Sequence, residues 1–135
     1  MTTKGSDYRV EHRISELSPP TAHYSDAVSY GGLIYISGLL PIDGNGSLVG
    51  GDDVIAQATQ VFRNIRATLD QAGSTIDDIL KITVFVTSIQ DRGKIDTVRQ
   101  AALGMIKPAS TLIEISALAI PGAKIEIEAV AAHRT

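Results

Sequence analysis

Two stretches of this 135-residue chain carry one apolar stripe each at helical spacing, and nothing else in the sequence restricts the fold as much. Val54, Ala58, Val61, Phe62, Ile65 and Leu69 recur every three or four residues, as do Ile95, Val98, Ala102 and Met105. A helix with one stripe buries one side and leaves the other in water. Asp52 or Asp53 can cap the first helix and Gly73 can end it in a left-handed conformation, so the pattern predicts a helix over Val54 to about Ala72. The second runs from Asp91 to about Met105, ended by Gly104 and Pro108. The segments around them read as strands. Tyr8 to Ile14 alternates Val10, His12 and Ile14 against Arg9, Glu11 and Arg13. Ser25 to Tyr30 and Leu33 to Ser37 flank Gly31-Gly32, a two-residue hairpin signal, and Asp43-Gly44-Asn45-Gly46 is turn chemistry. Leu80 to Val86, Ser110 to Ile115 and Lys124 to Ala132 complete the set. The order is strand, hairpin, helix, strand, helix, strand, strand, without repeat or linker. It predicts one α+β domain over residues 1–135, a mixed sheet with both helices on one face. Two single-stripe helices leave the other face in need of a partner, which a second subunit would supply.

Composition removes whole classes of chemistry. The chain has no cysteine, hence no disulfide framework, thiolate metal site or cysteine nucleophile. With 12 Lys+Arg against 15 Asp+Glu it carries a net charge of −3, which argues against a nucleic-acid binder needing a basic face. Apolar residues make up 44% and charged residues only 20%, in keeping with some apolar surface meeting another subunit. Met1 to Ser6 is polar with no apolar run behind it, and no apolar stretch approaches the ~20 residues that span a bilayer. A cytoplasmic protein without membrane contact is expected.

The three histidines, His12, His23 and His133, have no spacing that would bring two imidazoles onto one ion, so no metal site is expected. Gly44-x-Gly46 has Val49 where a dinucleotide fingerprint needs glycine, and Ser37-Gly38 has Tyr35 where a nucleophile elbow needs glycine. What stands out is Glu114, Glu126 and Glu128, carboxylates on strands in an apolar context. Alternation sets Glu126 and Glu128 opposite Ile125 and Ile127, on a face where simple solvation is the plain reading. If that face meets another subunit, a strand glutamate sits in a cleft where it can orient water.

Six short motifs, in order, resemble the RidA/YjgF family over about residues 20–131: Pro19 to Tyr24, Leu33-Ile34-Tyr35-Ile36-Ser37-Gly38-Leu39-Leu40-Pro41, the helix end Ala72-Gly73, Asp78 to Val86, Pro108-Ala109, and Lys124-Ile125-Glu126-Ile127-Glu128-Ala129. The resemblance implies a chorismate-mutase-like α+β fold with a trimeric barrel core, a homotrimer with small-molecule sites between subunits. It also implies hydrolysis of reactive enamines or imines released by pyridoxal-phosphate enzymes, giving a keto acid and ammonia without metal or cofactor. By the same resemblance Tyr24 is the pocket tyrosine, Ser37 the pocket serine, and Glu126 the catalytic group that positions water. The family's deaminating members follow Pro-Ala with an arginine that forks onto the substrate carboxylate, whereas Ser110 and Thr111 are left to touch the substrate here. A charge-assisted hydrogen bond contributes about 1.5–3 kcal/mol, so its loss weakens carboxylate binding by about one to two orders of magnitude. The family's second-helix asparagine and tyrosine correspond to Asp96 and Arg99, and its Phe-Phe pair to Ala102-Leu103. His23 stands where the family usually has proline and reads as a titratable group at the mouth of the pocket or, more plainly, as a turn-capping residue. Two functions follow, a deaminase with altered substrate choice or a trimeric small-molecule-binding protein without turnover, and Ser110 discriminates between them. A ribonuclease reading has little support in the acidic balance and the lack of paired histidines.

Overall fold

The computed structural model describes residues 7–134, so the expectation drawn from Met1 to Ser6 lies outside it. Six strands, β1 (Val10–His12), β2 (Ala27–Tyr30), β3 (Leu33–Leu39), β4 (Ile79–Val86), β5 (Ala109–Glu114) and β6 (Ile125–Ala132), join two helices, α1 (Val54–Ala72) and α2 (Arg92–Leu103). The strands form one mixed sheet in the order β1-β2-β3-β6-β4-β5. β4 and β5 run parallel and every other neighbouring pair is antiparallel. Both helices pack on one face, giving the expected α+β architecture.

Local chemistry sets the helix ends. Asp53 Oδ1 accepts a hydrogen bond from the Ile55 amide at 2.9 Å, and Gly73, at φ 91° and ψ 40°, donates its N–H to the Leu69 carbonyl. The fully buried Val61, Ile65 and Leu69 of α1 each contribute about 1.5–3 kcal/mol by leaving water. α2 is shorter than its pattern. Gly104 turns the chain at φ 61°, so Met105 leaves the stripe and stands 93% exposed. β1 is also shorter than Tyr8 to Ile14, because Asp26 Oδ2 takes the Ile14 amide at 2.7 Å and the Arg13 guanidinium at 2.9 Å, drawing the chain off the ladder. The hairpin between β2 and β3 turns on Gly31 and Gly32, both at positive φ, the conformation of a type I′ turn.

The helix-facing side of the sheet is apolar and buried: Ile34, Ile36 and Leu39 on β3, Ile82, Val84 and Val86 on β4, and Ile125, Ile127, Ala129 and Ala131 on β6. Alternation is kept by two irregularities. Three steps along β3, from Ile36 to Leu39, match two along β6, from Ala129 to Ile127, so Ser37-Gly38 bulges and Leu39 still faces inward. Leu80 is the extra residue of a second bulge, between Ile79 and Lys81. The open face carries Tyr35, Val130 and Lys81 in one registered row, Glu128, Thr83 and Thr111 in the next, and Glu126, Phe85 and Ile113 in the third. Tyr35 and Ile113 are exposed.

Candidate functional site

The β3 bulge shapes the first part of the site. Ser37 donates its amide to the Asp26 carbonyl at 3.0 Å and its hydroxyl to the Ser25 carbonyl at 2.6 Å. These bonds tie β3 to the loop that carries His23 and Tyr24, the tyrosine ring being 53% exposed. Glu126, opposite Phe85 on β6, lays its side chain against Gly38. A Cβ placed on Gly38 would fall 2.0 Å from Glu126 Oε1 and 2.8 Å from its Cδ. Gly38 does not have positive φ, so glycine is needed there for room.

Burial raises the pKa of Glu126 above the ordinary carboxylate value, and the like charge of Glu128 adds to the rise. Glu128, two residues on, shares the open face but is exposed. The chain therefore presents a half-buried carboxylate with strengthened proton affinity against the Ser37-Gly38 bulge of β3. Such a group can take a proton from a water molecule.

Ser110 and Thr111 lie elsewhere. β5 is the edge strand, separated from β6 by β4, and Ser110 pairs with Ile82 on the helix side while Thr111 pairs with Thr83 on the open side. Lys81 Nζ donates to Thr111 Oγ1 at 3.0 Å. Ser110 Oγ accepts a bond from Arg99 Nη1 at 2.9 Å, Arg99 Nη2 donates to Asp96 Oδ1 at 3.0 Å, and Gln100 Nε2 donates to Asp96 Oδ2 at 2.7 Å. These groups line a cavity of about 590 Å³ whose apolar wall includes Ile82, Leu103, Ile106 and Pro108. A single chain thus sets Glu126 against Gly38, next in the chain to Ser37, and holds Ser110 on the opposite, helix-facing side of the sheet.

The remaining candidates have plainer roles. Glu114 Oε1 accepts the Ile89 amide at 2.8 Å, closing the short 3-10 turn Ile89–Asp91 before α2. His23 is exposed, and its charge adds slightly to the effect of Arg9 in holding the Glu11 carboxyl below its usual value. Among the described residues no group of three or more His, Cys, Asp or Glu stands ready to hold a metal ion, and no helix is long and apolar enough to cross a membrane. Sequence reasoning missed Gly38 as the cradle of Glu126, although a lone glycine inside a strand signals a bulge or a close approach. It also missed the contact between Arg99 and Ser110, for which local sequence holds no signal.

A mixed six-stranded sheet, two helices on one face and a strand glutamate over a glycine bulge together describe one class of small α+β protein. The chain matches the family described as Endoribonuclease L-PSP over residues 15–133 and belongs to that family, the RidA/YjgF proteins. A RutC family protein of Pyrococcus abyssi is 36% identical over 113 residues, 83% of this chain and 87% of the relative. The 2-iminobutanoate/2-iminopropanoate deaminase of Salmonella typhimurium is 34% identical over 114 residues, 82% of this chain and 88% of that enzyme. Among solved structures, YyfA of Yersinia pestis, described as a Rid family protein of unknown function, superposes with a TM-score of 0.87 at 35% identity, covering 93% of this chain and 99% of its own.

Proposed function

We propose that this protein is a hydrolytic deaminase of a reactive enamine or imine, acting as a cytoplasmic homotrimer with its small-molecule sites between subunits. The observation that carries the reading is the Glu126 carboxylate, half-buried over Gly38 with its pKa raised. The likeness to a 2-iminobutanoate/2-iminopropanoate deaminase supports it. In the proposed reaction Glu126 accepts a proton from water as the water oxygen bonds to the C=N carbon, and the nitrogen gains a proton. Collapse of the adduct breaks the C–N bond, releases ammonia and leaves a carbonyl. An enamine first takes a proton at carbon to become the imine. Tyr24, Ser37, Ser110 and Thr111 are the substrate-binding groups, and Ser110, neutral where deaminating members carry arginine, alters substrate choice. That same neutral residue favours a second reading, a trimeric binding protein without turnover.

The test uses 2-iminobutanoate made in place by a dehydratase. With Ser110 in place of arginine, wild-type protein accelerates release of ammonia and 2-oxobutanoate over the spontaneous rate only weakly, and Glu126→Gln loses that acceleration with assembly intact. Because a raised pKa keeps Glu126 protonated to higher pH, activity climbs with pH through a limb above the ordinary carboxylate range. Glu128→Gln removes the like charge, moves that limb to lower pH and leaves the plateau rate unchanged. No acceleration by wild type moves the protein to the binding reading; full activity in Glu126→Gln removes the glutamate from the mechanism.

A further inference from the structure

We propose that Asn45, in the turn between β3 and α1, is a site of spontaneous deamidation, and that Asp43 sets its pace by holding the turn closed. The chain has two asparagines, and the fold treats them differently. Asn64 is buried in α1, where its side-chain nitrogen donates to the carbonyls of Leu40 and Ile42 and its oxygen accepts from Gln60 at 3.0 Å. The residue after it is Ile65, branched and inside the helix. Asn45 is exposed, its side-chain amide has no hydrogen-bond partner among the described residues, and the residue after it is Gly46. The turn dictates that glycine. Gly46 has φ 81°, and a Cβ there would fall 3.2 Å from Ser18 Oγ. The fold therefore fixes, next to an open asparagine, the one residue whose amide nitrogen no side chain screens.

The reaction needs only water. Gly46 N bonds to Asn45 Cγ and loses its proton to solvent, and the side-chain nitrogen leaves as ammonia, closing a succinimide ring. Water then adds to one of the two ring carbonyls and breaks its bond to nitrogen, giving aspartate with the original backbone or isoaspartate with the backbone rerouted through Cβ and Cγ. Nothing is oxidised or reduced. In the closed turn the Gly46 N–H donates to the Asp43 carbonyl at 2.9 Å, and Asp43 Oδ1 accepts the amides of Asn45 at 2.9 Å and Ser47 at 3.0 Å. The attacking nitrogen is thus engaged and the peptides on both sides of Asn45 are fastened, so the reaction runs from the opened turn. Reclosing then fails. The new carboxylate repels Asp43, and the extra backbone carbon of isoaspartate is incompatible with the Gly46-to-Asp43 bond and with the Asp43 amide's bond to the Ser47 carbonyl. The disturbance ends at the turn, because the Val49 amide donates to the Pro41 carbonyl at 2.8 Å and Asn64 holds the carbonyls of Leu40 and Ile42.

To test this, the full chain in its native assembly is aged in mildly alkaline buffer and followed by isoelectric focusing and peptide mass spectrometry. Charge is the decisive readout, because Asp43-Gly44 can close the same ring yet returns an aspartyl residue of unchanged charge. An acidic form should accumulate with one added negative charge, map to the peptide that holds Asn45, and keep the Tm of the fresh protein. Asn45→Gln should stay a single band, since glutamine needs a larger ring that closes far more slowly. Asp43→Ala should age several-fold faster than wild type, and Asp43→Ser, whose hydroxyl makes the same turn bond more weakly, should fall between them. Chain held in urea sets the upper limit. A native band that never shifts while the urea-held band does overturns the proposal, as does an acidic form that persists in Asn45→Gln. Equal ageing of Asp43→Ala and wild type overturns the part assigned to Asp43.

Discussion

Gly38 and Glu126 depend on each other at atomic range. The carboxylate lies where the glycine has no side chain, so the backbone of β3 forms one wall of its surroundings. Gly38→Ala would put a methyl carbon 2.0 Å from Oε1, and the flexible end of Glu126 would swing aside to relieve the clash. We expect a folded protein whose Tm changes little and whose deaminase activity is lost, as in Glu126→Gln. Thermal melts run beside turnover assays check it; a fully active Gly38→Ala would mean that the carboxylate does not work from this position. The burial that raises the pKa of Glu126 also has a stability sign. The folded chain holds this proton more tightly than the unfolded chain, so the contribution of Glu126 to stability declines as pH rises from its unfolded pKa through the raised folded one.

At the level of elements, α1 does more than cover the sheet. Its buried Gln57 donates to the Gly51 carbonyl at 2.7 Å and the Gly122 carbonyl at 3.0 Å, and accepts the Lys124 amide at 2.7 Å. Asn64 donates to the carbonyls of Leu40 at 3.0 Å and Ile42 at 2.9 Å. Two side chains thus fasten the connection from β3 to α1 and the loop that delivers β6. Gln57→Leu keeps the volume but strands two carbonyls and an amide, and with about 1–3 kcal/mol for each buried unsatisfied group it should cost about 3 kcal/mol or more. Urea unfolding at one fixed protein concentration measures this, and a loss under about 1 kcal/mol would mean that water replaces the amide. These bonds also mark where reading the sequence stops. The ends of α1 were legible because Asp53 and Gly73 act within one turn, and the β2–β3 hairpin because two glycines suffice. The Gly122 carbonyl that Gln57 reaches and both acceptors of Asn64 lie far along the chain, and the bulges at Ser37-Gly38 and Leu80 depend on the register of β6, so no local pattern announces them. The same holds at the candidate site. Glu126, Tyr24 and Ser37 sit in motifs with a family likeness, whereas Arg99 meets Ser110 only once α2 packs beside β5.

On the scale of the whole molecule, the open sheet face is the largest feature that one chain leaves unanswered. Tyr35, Phe85, Ile113 and Val130 give it apolar surface, with Lys81, Thr83, Thr111 and Glu128 between them. The proposed homotrimer would cover this face and supply the neighbour that Glu126 lacks. Light scattering at micromolar concentration should return the mass of three chains, and Val130→Glu should shift it toward one chain and lower turnover with it. A single-chain mass for the wild type would remove every intersubunit site. β6 is the last strand to be synthesised, yet it lies in the middle of the sheet, antiparallel to β3 on one side and to β4 on the other. Before it emerges from the ribosome, β1–β3 and β4–β5 are two half-sheets, each with an unpaired edge where β6 belongs. Folding therefore waits for nearly all of these residues to be translated, and the nascent half-sheets are the form most exposed to sticking to one another.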